Sequence, residues 1–188
     1  MSPVWVAVGL VGAQRLAELM FAQRNTRRLL AAGAVERGLG HYPLIVALHA
    51  AWLGSLPLIV PGDRWPDAGL IGLFLGLQAL RLWIIATLGR RWTTRVLIVP
   101  GEVPVRRGPY RWCRHPNYAV VAAEIPLLPL AFGAIAHALL FGLANLALLA
   151  WRIRVEDAAW EAGGVPGGAR PPGHGQVVSG SAGSRPDR

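Results

Sequence analysis

The sequence predicts an all-α fold, a polytopic membrane bundle of five transmembrane helices with the last two as a tight hairpin. Three observations predict it. Hydrophobic residues make up 53% of the 188 and charged residues 15%, against roughly 25% charged in a typical soluble domain. Apolar stretches approaching the ~20 residues of a bilayer-crossing helix recur along the chain. The formal net charge of +9 gathers between those stretches, as it does where basic loops stay on one side of a membrane.

The first helix is predicted over about residues 4–22. Gln14, Arg15 and Glu18 interrupt it and no basic segment precedes it, unlike a cleavable signal peptide. A second helix follows at about 41–60 and a third at 68–88, where Gly72 and Gly76 form a GxxxG that allows close packing. After the polar interval 89–118 comes an apolar block from Ala119 to Trp151. As helix it measures ~50 Å, whereas two full crossings need ~60 Å. Pro126, Pro129 and Gly133 punctuate it, so it reads as a hairpin with arms at about 119–131 and 134–151. Residues 1–162 thus form one membrane domain, and the Gly/Pro-rich 163–188 reads as a disordered tail.

Arginine bias sets the orientation. Arg24, Arg27, Arg28 and Arg37 follow the first helix, and seven arginines from Arg90 to Arg114 fill the interval before the hairpin. Both stretches and the C-terminus belong in the cytoplasm, with the N-terminus outside the cell membrane. This distribution accounts for the charge without a nucleic-acid partner. All 19 basic residues are arginine, which excludes Schiff-base and pyridoxal chemistry and a P-loop lysine. A single cysteine, Cys113, excludes an intrachain disulfide and a multi-cysteine metal site, and the scattered histidines His41, His49, His137 and His174 argue against a metal.

Depth locates candidate chemistry, because polar groups inside apolar helices face a cavity or a partner. At 1.5 Å per residue, Arg15, Glu18, Gln78, Arg81, Glu124 and Asn145 all fall roughly 6–15 Å from the cytoplasmic ends of their helices. They describe either interhelical ion pairs or a polar chamber that a lipophilic substrate enters sideways. Arg15, Glu18, Arg81 and Asn145 are its candidate substrate contacts.

The interval before the hairpin is the most specific part of the chain. It contains Gly108-Pro109-Tyr110-Arg111-Trp112-Cys113-Arg114-His115-Pro116-Asn117-Tyr118, and the hairpin is followed by Arg152-Ile153-Arg154-Val155-Glu156-Asp157. This combination resembles the isoprenylcysteine carboxyl methyltransferase family of membrane enzymes from about Gly89 to Asp157. The Trp92-Thr93-Thr94-Arg95-Val96 stretch and Arg15 to Leu19 look most like the bacterial branch that O-methylates alkylpyrones and alkylresorcinols. Asp157 stands where the family usually has a second glutamate. The Gly/Pro-rich tail stands where family members usually continue with an aromatic-containing segment that helps cover the site.

The resemblance implies methyl transfer from S-adenosylmethionine to a carboxyl or hydroxyl oxygen of a lipophilic substrate. The cofactor would lie between the interval before the hairpin and the segment after it, held by Arg114, His115, Pro116, Tyr118, Glu156 and Asp157. Arg114 or main-chain N–H groups suit its carboxylate, Glu156 its ribose or ammonium, and Tyr118 a stacking or cation–π contact. A carboxylate acceptor is already ionised, whereas a phenol with a pKa near ~10 needs a base or a cation. Glu124 and His115 are the candidate bases and Arg152 a candidate cation. Two other readings stand beside this one: a small NADPH-dependent membrane reductase of similar architecture, and an inactive membrane scaffold.

Overall fold

The computed structural model describes residues 2–37, 42–99 and 105–162. The expected tail lies outside the described residues. Five helices carry the fold: α1 (Pro3–Ala31), α2 (Tyr42–Ile59), α3 (Ala68–Leu88), α4 (Pro116–Ala131) and α5 (Ile135–Ala162). The all-α membrane bundle is confirmed, and α1, α2, α3 and α5 are each long and apolar enough to cross a bilayer. α4 packs against α3 and α5, and α2 against α5 and α1.

Many large apolar side chains point outward, Leu10, Met20, Leu58, Leu73 and Leu143 among them. Helices apolar all round are those whose outer faces meet lipid. The inward core is built from Val4, Val11, Trp52, Leu56, Phe74, Ile125 and Leu128. Among the described residues Gly72 and Gly76 have no packing partner, because a Cβ at either would meet no atom within 4 Å.

The short arm α4 fixes the depth of the site. Its 16 residues run antiparallel to the 21 of α3. At the start of α3 the two are tied by the Asp67 N–H, which donates to the Ala131 carbonyl at 2.8 Å. The difference in length leaves the start of α4 recessed by about 7 Å from the C-terminal end of α3. The turn into α5 is made by Gly133 at φ 74, a left-handed conformation that only glycine adopts freely.

Three boundaries differ from the sequence reading. α1 continues to Ala31, so Arg24, Arg27 and Arg28 ride on the helix rather than in a loop. Nothing in that stretch breaks a helix before Gly33, and arginine is a good helix former. α5 likewise continues through Asp157. α4 begins at Pro116, where proline's missing N–H costs nothing. The structure also adds a two-stranded antiparallel ribbon, β1 (Val35–Arg37) with β2 (Val96–Ile98).

Candidate functional site

The polar residues inside the apolar helices meet. Glu124 on α4 is 1% exposed, and its Oε2 accepts from Arg15 at 2.7 Å and from Arg81 at 3.2 Å. Its Oε1 accepts from Gln78 Nε2 at 2.8 Å. Glu18 on α1 accepts from Arg15, from Arg81 and from Gln14, each at 2.9 Å. Two arginines thus face two carboxylates across three helices, a neutral set in which each carboxylate meets several donors. Asn145 Nδ2 donates to the Val121 carbonyl at 3.4 Å, tying α5 to α4.

A second cluster forms where α4 starts and α5 emerges. Continuation of α5 sets Arg152 and Glu156 one turn apart on one face. Tyr118, one turn into α4, donates its hydroxyl to Glu156 and accepts from Arg152 Nε at 2.7 Å. The Arg152 guanidinium also lies over the Tyr118 ring, 5.4 Å from its centroid, and the His115 ring stacks on the same tyrosine at 5.2 Å. Asp157 Oδ1 lies 3.4 Å from Arg114 Nη2 and 3.5 Å from His115 Nε2. Only the arginine makes a hydrogen bond there. His115 Nε2 and Asn117 Oδ1 are both buried without a hydrogen-bond partner, and buried polar atoms normally have one. Burial first, and Glu156 second, push the Tyr110 hydroxyl well above the usual phenol range, so it stays protonated and can donate.

Two cavities meet at this cluster. The larger, about 770 Å³, is walled by β2, the turn around Tyr110, and Arg114, His115, Glu156 and Asp157. Six arginines face two carboxylates on its described wall. The smaller, about 350 Å³, lies between α1, α2 and α5 and is mostly apolar, with Arg15, Glu18, Arg81, Asn145 and His49 on its wall. Trp92, Thr93, Asn117, Tyr118 and Arg152 line both.

The cofactor candidates other than Pro116 therefore share one cavity, and the substrate candidates share the other. Pro116 is buried in the fold and lines neither. Glu124 stands behind the smaller cavity's wall rather than on it. Among the described residues no group of three His, Cys, Asp or Glu is placed to hold a metal. Sequence reasoning missed Asn117, Trp92, Thr93 and His49. Asn117 sat inside the Arg114–Tyr118 motif and was the easiest to find. His49 carries no motif at all.

The sequence profile of the isoprenylcysteine carboxyl methyltransferase (ICMT) family matches residues 70–162, from the first turn of α3 to the end of α5. The chain belongs to this family. A full-length relative, the Uncharacterized protein YpbQ of Bacillus subtilis, is 39% identical over 161 residues, covering 82% of this chain and 95% of the relative. An uncharacterized protein of Haemophilus influenzae is 28% identical over 155 residues, covering 78% and 88%. No solved structure matches at a significant level. As an ICMT-family chain with four bilayer-length helices, this is a membrane protein of a methyltransferase family. The family match takes in both clusters from α3 onward but leaves out α1 and α2, and with them Arg15, Glu18 and His49.

Proposed function

We propose that this ICMT-family protein transfers a methyl group from S-adenosylmethionine to an oxygen of a lipophilic acceptor, a carboxyl or a phenol or enol hydroxyl, at the wall shared by its two cavities. The observation that carries the reading is the meeting of a cavity rich in arginines and carboxylates with a mostly apolar one at Asn117, Tyr118 and Arg152. A volume of about 770 Å³ sits within the roughly 300–1,000 Å³ usual for cofactor sites. The donor set fits an amino-acid-bearing nucleoside. Arg114 suits the carboxylate, Glu156 and Asp157 suit the ammonium and ribose hydroxyls, and the orphaned Asn117 Oδ1 and His115 Nε2 await polar partners.

When bound, S-adenosylmethionine supplies an electrophilic methyl group on a sulfonium. The protein's part is alignment and exclusion of water, which supply much of the rate in such reactions. Tyr118 is clamped between Arg152 and Glu156 and fixes the wall between the cavities. The aliphatic lining of Leu16, Leu19, Val46 and Leu53 suits a hydrocarbon chain, which supports an alkylpyrone or alkylresorcinol acceptor as the finer reading. The larger cavity opens among the arginines, so we place it and the C-terminus in the cytoplasm and the N-terminus outside.

Tritium transfer from labelled S-adenosylmethionine into detergent-extracted alkylresorcinol tests the function. Incorporation by the purified protein, together with binding of S-adenosylhomocysteine and not of NADPH, is the expected result. Saturable NADPH binding without methyl transfer would favour the reductase architecture instead.

A further inference from the structure

We infer that His49 is the general base of this reaction, its Nε2 taking the proton of a hydroxyl acceptor in the smaller cavity. This rests on the methyl-transfer reading and deepens it, because a base is needed for a phenol or enol and not for a carboxylate. His49 Nδ1 lies 2.8 Å from the Ile45 carbonyl. A carbonyl only accepts, so Nδ1 carries the proton and the neutral ring leaves Nε2 with a free lone pair. Nε2 has no hydrogen-bond partner among the described residues. Trp52 steadies the ring edge-on, with centroids 6.3 Å apart.

The other groups on or near the wall that could act as a base are spoken for, and the unpartnered Asn117 Oδ1 is an amide oxygen, which accepts a hydrogen bond but does not take a proton. Both Glu18 oxygens take arginine donors, and Glu124 accepts three donors and lies off the wall. The Tyr118 hydroxyl is engaged by Arg152 and Glu156. His115 faces the other cavity. The remaining charged or titratable groups on the wall, Arg15, Tyr42, Arg81 and Arg152, offer donors. Arg15 and Arg81 are offset by Glu18 and Glu124, which leaves little net charge to draw a carboxylate. His49 and the shared-wall residues Asn117, Tyr118 and Arg152 line the same space of about 350 Å³, so an acceptor that fills it meets both.

The step balances. The acceptor oxygen forms a bond to the methyl carbon as the methyl–sulfur bond breaks, and that electron pair stays on sulfur as a neutral thioether. The hydroxyl proton passes to His49 Nε2, giving an imidazolium that must lose it before the next turnover. Arg152 at the shared wall stabilises the negative charge developing on oxygen.

The test uses purified full-length protein with para-octylphenol and dodecanoate as hydroxyl and carboxylate probes. His49→Ala and the volume-keeping His49→Gln should each lower kcat/KM for the phenol by about 10²-fold or more, with S-adenosylhomocysteine affinity unchanged. The wild-type rate should fall at pH low enough to protonate His49 Nε2, and the variants should lose that limb. A second readout needs no turnover. An alkyl nitrophenol bound without methyl donor should show phenolate absorbance with the wild type and lose it with either variant. Wild-type phenol methylation in both variants, an unchanged phenolate signal, or a preference for dodecanoate would overturn the assignment. Failure to bind S-adenosylhomocysteine would instead bring down the methyl-transfer reading itself, whatever the phenolate signal shows.

Discussion

The carboxylate of Glu124 accepts from Gln78, Arg15 and Arg81 and turns no free oxygen toward either cavity. Its chemistry is that of a buried ion pair, which is costly to break because the partner charges stay behind. Glu124→Gln should therefore destabilise the bundle by about 3–5 kcal/mol. Thermal melting in detergent would show this as a large fall in Tm, with S-adenosylhomocysteine affinity retained in the fraction that remains folded. A variant of normal stability that has lost all methyl transfer would return Glu124 to the list of catalytic groups. Tyr118 is the opposite case, a residue whose value lies in its hydroxyl. Tyr118→Phe strands Arg152 and Glu156 and should weaken S-adenosylhomocysteine binding by about 1–3 kcal/mol, measured by titration calorimetry. Residues of the first kind were legible in the sequence, because a charge inside an apolar helix is conspicuous and its depth follows from helical rise. Depth could not tell wall from interior, since neighbours one position apart point 100° away from each other around a helix. His49 stayed hidden for a related reason. Its tautomer depends on a carbonyl one turn earlier, which no residue pattern announces.

Among the elements, the hairpin was the most legible, since prolines and a glycine inside an over-short apolar block leave few other arrangements. Its turn is also tightly constrained. Gly133 has φ 74, and a Cβ there would lie 2.5 Å from Arg64 Nη2. Gly133→Ala should cost about 1–3 kcal/mol from the left-handed backbone, with the Arg64 side chain displaced as well. Comparison of melting temperatures with that of Gly9→Ala, where a Cβ meets no atom within 4 Å, would isolate the effect. The ribbon was illegible. Its strands are three residues each, too short for alternation to register, and they come from intervals far apart in the chain. The exposed ion pair of Arg95 with Glu36 at 3.0 Å adjoins it. Pairs of this kind contribute little, so Arg95→Ala should leave Tm almost unchanged.

For the whole molecule, the architecture follows from a small number of long-range constraints. Asp67 and Ala131 pin the start of α3 and the end of α4 at one level, and the shorter α4 draws its N-terminal motif toward the middle of the bundle. That recess brings Arg114 to Tyr118 alongside Arg152 to Asp157, although more than thirty residues separate them. Sequence placed the two segments together by resemblance and by the length of the hairpin, and the structure supplies the clasp that makes the length matter. Orientation is read from arginine distribution alone. Reporter fusions after Val60 and after Gly101 should report opposite sides of the membrane, with the second in the cytoplasm, and a shared side would overturn that topology. The central claim is that the larger cavity holds the methyl donor between His115 and Glu156. Calorimetric titration of S-adenosylhomocysteine into the wild type, His115→Ala and Glu156→Ala tests it most directly. The account predicts that each variant loses at least tenfold in affinity, about 1.4 kcal/mol, whereas wild-type affinity in both would contradict it.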